Sequence, residues 1–140
     1  MKKLVVIALL FLSTPTLFGQ TDSTYSDCNV KKDGVYYADF DKETNIYIRF
    51  HDGDSAVATS SIKDVKTAAK FVNKDMGSGM LYGKYFTSAT NCSIRIKAKN
   101  EDGKVKMDGL ISGDKLVLSI VNIEDNTVRE FIFRFYPTTN

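Results

Sequence analysis

One histidine stands in the 140-residue chain, His51, and two aspartates follow it closely in the stretch IYIRFHDGDSAVA. Such a grouping could ligate a metal ion or move a proton, because both tasks need titrating groups converging near a substrate. The flanking pattern argues for a turn instead. Ile46, Ile48 and Phe50 alternate with Tyr47, Arg49 and His51, the period of a half-buried strand. A second run of small residues around Val57, spanning 55–59, reads as the next strand. Asp52-Gly53-Asp54 then forms a hairpin tip, Asp-Gly being a pair that accepts positive φ.

Other catalytic constellations are no better supported. The nucleophile-elbow pattern G-x-S-x-G stands nowhere in the chain. The carboxylates fall in clusters, Asp39/Asp41/Glu43, Asp52/Asp54, Glu101/Asp102 and Glu124/Asp125. These are mostly turn positions, and a glycosidase-like pair would need two of them to meet in space. DKETN and NEDGK lack the ligand spacing of a calcium loop, and MGSGM is too short to cradle a phosphate. Two cysteines and one histidine do not complete a tetrahedral zinc site. The expectation is no catalytic residue, no metal and no cofactor.

The N-terminus carries a different kind of signal. Lys2 and Lys3 precede an apolar run over 4–12, and Gly19 offers a small residue for cleavage. That is the layout of a secretory signal peptide over 1–19, with Ser13 the poorer cut site. The apolar run is about half of the ~20 residues that span a bilayer, and no cysteine near the cut suggests a lipid anchor. Loss of Lys2 and Lys3 turns 19 basic against 17 acidic residues into 17 against 17. A nucleic-acid binder shows a basic excess, so nucleic acid is not the expected partner. Localisation is expected to be export, to a periplasm or the medium.

Both cysteines, Cys28 and Cys92, lie beyond the cut. An even count in an exported chain argues for a disulfide, worth roughly 4 kcal/mol in the chain-entropy treatment of a loop that long; two free thiols are the alternative.

The elements that must position any site are mostly β. Residues 20–33 form a polar, extended lead-in, and 34–137 a single domain. Strands are expected over 34–40, 45–51, 55–59, 79–86, 92–99, 104–112, 115–123 and 128–136, with Pro137 ending the last. Short turns such as SGDK and EDNT separate the later ones. Residues 116–123 are apolar on both sides, which suits a strand covered on two faces. Between the third and fourth strands, Ile62, Val65, Ala68, Ala69 and Val72 recur at helical spacing. This predicts a helix over 62–74 with Ser61 as N-cap, Asp64 at its third position, and Gly77 and Gly79 as the stop. Lys63, Lys66, Lys70 and Lys74 then form its solvated side. The fold class is mainly β, an eight-stranded antiparallel meander closing into an up-and-down barrel; an open or two-layer sheet is the alternative.

Gly34-Val35-Tyr36, Tyr47 to Gly53, the helix, Gly83-Lys84-Tyr85 and the hairpin around Ser112-Gly113-Asp114 together resemble the lipocalin-like exported proteins of bacteria. The resemblance implies a barrel. Tyr36 stands where true lipocalins carry tryptophan, and no functional residue is carried over.

Two function classes follow. A barrel of eight strands can enclose one small apolar ligand. Ile48, Phe50, Ile94, Ile96, Phe131 and Phe133 would line that cavity, Ala56, Ala58 and Ala98 would leave room in it, and the helix with 77–79 would cover its mouth. The competing reading has the phenylalanines and Met107 fill the interior. The alternative function is a protein-interaction or inhibitor module using loops and outward tyrosines at 36, 47, 82 and 136. An enzyme comes third.

Overall fold

The computed structural model describes residues 28–73 and 79–138, so the signal segment 1–19, the first part of the lead-in, and residues Lys74 and Gly77 lie outside the described residues. Eight strands form one antiparallel up-and-down barrel. They are β1 (Gly34–Asp39), β2 (Asn45–His51), β3 (Ser55–Ser61), β4 (Leu81–Ser88), β5 (Ser93–Asn100), β6 (Gly103–Ser112), β7 (Lys115–Asn122) and β8 (Val128–Pro137). Each pairs with its sequence neighbour, and β1 pairs with β8 from Gly34 opposite Pro137 to Tyr37 opposite Arg134. Closure leaves no free edge for another chain to extend. The open or two-layer sheet is thereby excluded.

Alternation sorts the side chains. The inward set includes Tyr36, Ile48, Phe50, Tyr85, Ile94, Ile96, Met107, Leu116, Leu118, Phe131 and Phe133, all buried in one cluster. Gly53 and Asp54 take positive φ at the β2–β3 tip, and Gly113 at the β6–β7 tip, as Asp-Gly and Gly-Asp turns require.

The helix is shorter than its spacing predicts. It runs Val65–Phe71, capped by Asp64, whose side chain accepts from the Thr67 N–H at 2.8 Å. Ser61 instead accepts from the Lys63 N–H, and Ile62 is 75% exposed rather than part of the stripe. The reason is tertiary. The Tyr47 hydroxyl donates to the Lys63 carbonyl, and Arg49 donates to the Ala69 and Val72 carbonyls at 3.2 and 3.3 Å. Two outward side chains of β2 thus fix where the helix begins and ends. Val72, not a glycine, occupies its C-cap.

This helix, α1, does not cover a barrel mouth. Ala68, Ala69 and Val72 pack on the outer side of the sheet against Val35, Tyr47 and Val57, with Tyr37, Tyr82 and Tyr136 at the margin. Of the tyrosines expected to face outward, Tyr36 is corrected, since it lies inside the barrel; Tyr47, Tyr82 and Tyr136 do face the outer side, but Tyr47 is buried under the helix and Tyr82 and Tyr136 pack against the helix's cluster. β7 is not covered on two faces either. Val117 is 42% exposed, and Ile123 lies in the following turn and is 49% exposed.

Candidate functional site

Two places could hold a partner, the barrel interior and its outer wall. Inside, the six expected lining residues do converge. Ile48, Phe50, Ile94, Ile96, Phe131 and Phe133 all belong to the buried interior cluster. They share that space with a chain of rings running across it. Phe135 meets Tyr36 at 5.0 Å, Tyr36 meets Phe50 at 5.6 Å and Phe50 meets Tyr85 at 4.8 Å between centroids. Ala56 stands directly opposite Phe50 in the β2–β3 register, so the small residue accommodates a ring of the protein itself.

The two ends of the barrel differ. At one end the lead-in crosses the mouth. Val30 inserts into the interior cluster, and the Lys31 N–H donates to the Tyr36 hydroxyl at 2.9 Å. Cys28 is disulfide-bonded to Cys92 in the β4–β5 turn. Lys31 pairs with Asp114 in the β6–β7 turn, and Lys32 with Asp52 in the β2–β3 turn. The lead-in is thereby fastened to all three turns at that end. At the opposite end Arg129 lies over the rings of Phe40 at 4.3 Å and Phe131 at 5.1 Å, and donates to the Phe40 carbonyl. Stacking of guanidinium on aromatic faces is favourable.

The outer wall of β4, β5 and β6 is different. Outward positions on β5 are Ser93, Arg95, Lys97 and Lys99, as the alternation in the sequence says. The register then places Lys84 and Lys106 on either side of Lys97, and Lys104 opposite Lys99. Phe86, 60% exposed, stands opposite Arg95. A twisted closed sheet is saddle-shaped, concave outside along its strands. Here the concavity is a groove of about 670 Å³, lined by these cations together with Tyr82, Phe86 and Ile123 and by no carboxylate.

Gly83 tightens the wall. A Cβ there would stand 1.8 Å from the Lys97 carbonyl oxygen, so only glycine lets β4 lie this close to β5. At the groove's edge Asp108 takes hydrogen bonds from Arg95 at 2.7 Å and Lys106 at 3.2 Å. Partial burial, the largest single influence on that carboxyl, works to raise its pKa; the Arg95 and Lys106 contacts together outweigh it and hold it below the ordinary aspartate value. Lys84 donates to the Gly53 carbonyl at 3.1 Å. Lys97, Lys99 and Lys104 have no ion pair among the described residues.

The arrangement can bind anions. His51 sits at the end of β2 opposite Ser55, in the hairpin. Among the described residues no group of three metal-ligating side chains converges, and no helix is long and apolar enough to cross a membrane. The lysine grid is the feature that sequence reading misses. One strand of it, Ser93-Arg95-Lys97-Lys99, is visible as a polar face, but its stacking against Lys84, Lys104 and Lys106 depends on strand register.

Compared with known protein families, with curated proteins and with solved structures, the chain matches none.

Proposed function

We propose that the protein is an exported, non-catalytic binding module that holds its partner on the outside of the barrel rather than within it. The observation that carries this reading is the cationic groove on β4–β6, set against an interior crossed by the protein's own rings and closed by Val30 at one end. The N-terminal segment 1–19 and the Cys28–Cys92 bond support export to an oxidising compartment, periplasm or medium. The closed eight-stranded barrel is consistent with a lipocalin-like exported protein, and that kinship is part of the proposal. The test is competition between two reporters: interior methyl resonances of Ile48, Ile94 and Met107, and backbone amides of β4–β6. A ligand captured from growth medium and seen by native mass spectrometry must shift the second set. If it shifts the first, the barrel is an interior carrier.

A second reading, self-association, has its own observation. Leu110, Val117 and Ile132 are neighbours in register across β6, β7 and β8 and are 53%, 42% and 62% exposed. Asp108 and Glu130 flank this row on one side, Lys115 and Arg134 on the other. A two-fold axis along the row would set Arg134 of each copy against Glu130 of the other. Sedimentation against concentration, with Val117→Lys as control, decides it.

A further inference from the structure

We propose that the β4–β6 groove takes a single-chain anionic amphiphile, its charged head on Lys97, Lys99 and Lys104 and its tail along the lysine stems toward Phe86. This rests on the outer wall being the working surface and goes further by naming the ligand class.

Three observations lead there. The first is charge. Lys84–Lys97–Lys106 form one cross-strand row and Lys99–Lys104 a second. Like charges directly opposite one another destabilise a sheet, and they stand here in a chain of 19 basic against 17 acidic residues. Asp108 serves only Arg95 and Lys106. Lys97, Lys99 and Lys104 have no ion pair among the described residues, and Lys99 and Lys104 also border a hollow lined by Glu101 and Glu124.

The second is the floor. A lysine covers apolar surface with its stem while its ammonium stays in water, so rows of lysines make an apolar trough with a charged rim. Phe86 and Ile123 extend that trough at its two ends, 60% and 49% exposed, and Tyr82 lies opposite Lys99. A purely polar polyanion would leave the Phe86 ring exposed, whereas a hydrocarbon tail running toward it covers it.

The third is shape and donor type. A concavity of about 670 Å³ falls within the range of small-molecule sites, while a flat membrane surface would not enter it. Nucleic acid would call for arginine forks and several stacking rings; five of the six cations here are lysine, and Phe86 is the single well-exposed ring in the groove.

The test is titration of the purified, disulfide-bonded protein with dodecyl phosphate below its micelle concentration, followed by amide chemical shifts. Dodecyl maltoside, inorganic phosphate, polyglutamate and anionic phospholipid vesicles serve as comparators. The expected result is saturable binding of dodecyl phosphate with shifts concentrated on β4–β6, and weaker binding of the neutral and the tail-less probes. The double variant Lys97→Gln/Lys99→Gln should bind about tenfold more weakly, and Phe86→Ser should lose affinity for dodecyl phosphate but not for inorganic phosphate. Equal binding of inorganic phosphate or polyglutamate at the same amides would overturn the amphiphile and leave the outer-wall reading standing. Binding only to vesicles would replace the monomer with a membrane surface. Shifts of the interior methyls without those of β4–β6 would overturn both readings.

Discussion

Lys97 stands directly opposite Lys106 in the β5–β6 register, with Lys84 opposite it on the other side. Folding must therefore bring three ammonium groups into one row across the barrel wall. Such a row costs stability that a single substitution can recover. Lys97→Glu places a carboxylate between two lysines and should raise stability by about 0.5 kcal/mol. Urea unfolding measures the gain; the same variant should bind dodecyl phosphate poorly. A variant less stable than the parent would show that the row is not strained.

Gly83 decides how closely β4 approaches β5. A methyl group at this position would meet the Lys97 carbonyl oxygen at 1.8 Å, so Gly83→Ala must push the strands apart. The expected cost is about 1–3 kcal/mol, the range for overpacked sites, with the largest amide shifts at Lys97 and Ala98. Gly53 has open space around its Cβ direction, but its positive φ makes Gly53→Ala costly for a different reason, local backbone strain.

The disulfide closes a 64-residue separation. Cys28→Ser/Cys92→Ser should lower stability by about 4 kcal/mol if loop entropy dominates. It should also loosen the lead-in, so that the Lys31 amide, held by the Tyr36 hydroxyl, exchanges faster than in the parent. Unchanged exchange at Lys31 would mean that Val30 and the two lysine ion pairs hold the mouth closed without the staple.

Arg49 carries the C-terminal end of α1 through the Ala69 and Val72 carbonyls. Hydrogen bonds from charged donors contribute about 1.5–3 kcal/mol, and a seven-residue helix has little stability of its own. Arg49→Leu should therefore release α1 while the barrel stays closed. Hydrogen exchange would show protection lost in Val65–Phe71 and retained in β5–β7.

Acid should weaken the fold through its shifted carboxylates. In the folded state burial pushes the Asp108 pKa up, but the Arg95 and Lys106 contacts prevail and leave it lowered. The Glu43 backbone N–H lowers that of Asp41, and the Thr67 backbone N–H that of Asp64. A group depressed on folding stabilises fully above its ordinary value and loses that contribution as pH falls through the folded value. Stability should hold steady at neutral pH and decline below the ordinary aspartate value of 3.8. Asp108→Asn should be less stable at neutral pH and show a shallower acid decline in urea titrations.

Much of the barrel is legible before folding. Ile46/Ile48/Phe50 against Tyr47/Arg49/His51, and Ile94/Ile96/Ala98 against Arg95/Lys97/Lys99, assign inside and outside correctly, because a strand's side chains alternate by geometry alone. The Asp52-Gly53-Asp54 tip follows from local φ preferences. The helix limits do not, because Tyr47 and Arg49, distant in sequence, hold its ends. Val30 as a plug and Arg129 over Phe40 are equally invisible, because they join segments far apart in the chain that meet only once the barrel closes.

Local chemistry thus determines the strands, their turns and the inward set, since each depends on near neighbours. The tertiary structure alone decides the lysine grid. Net charge is a sum over the chain and carries no position, whereas register sets Lys84, Lys97 and Lys106 side by side, with Asp108 ion-paired to Lys106 at one end of the row. The groove and its charge exist only in that register.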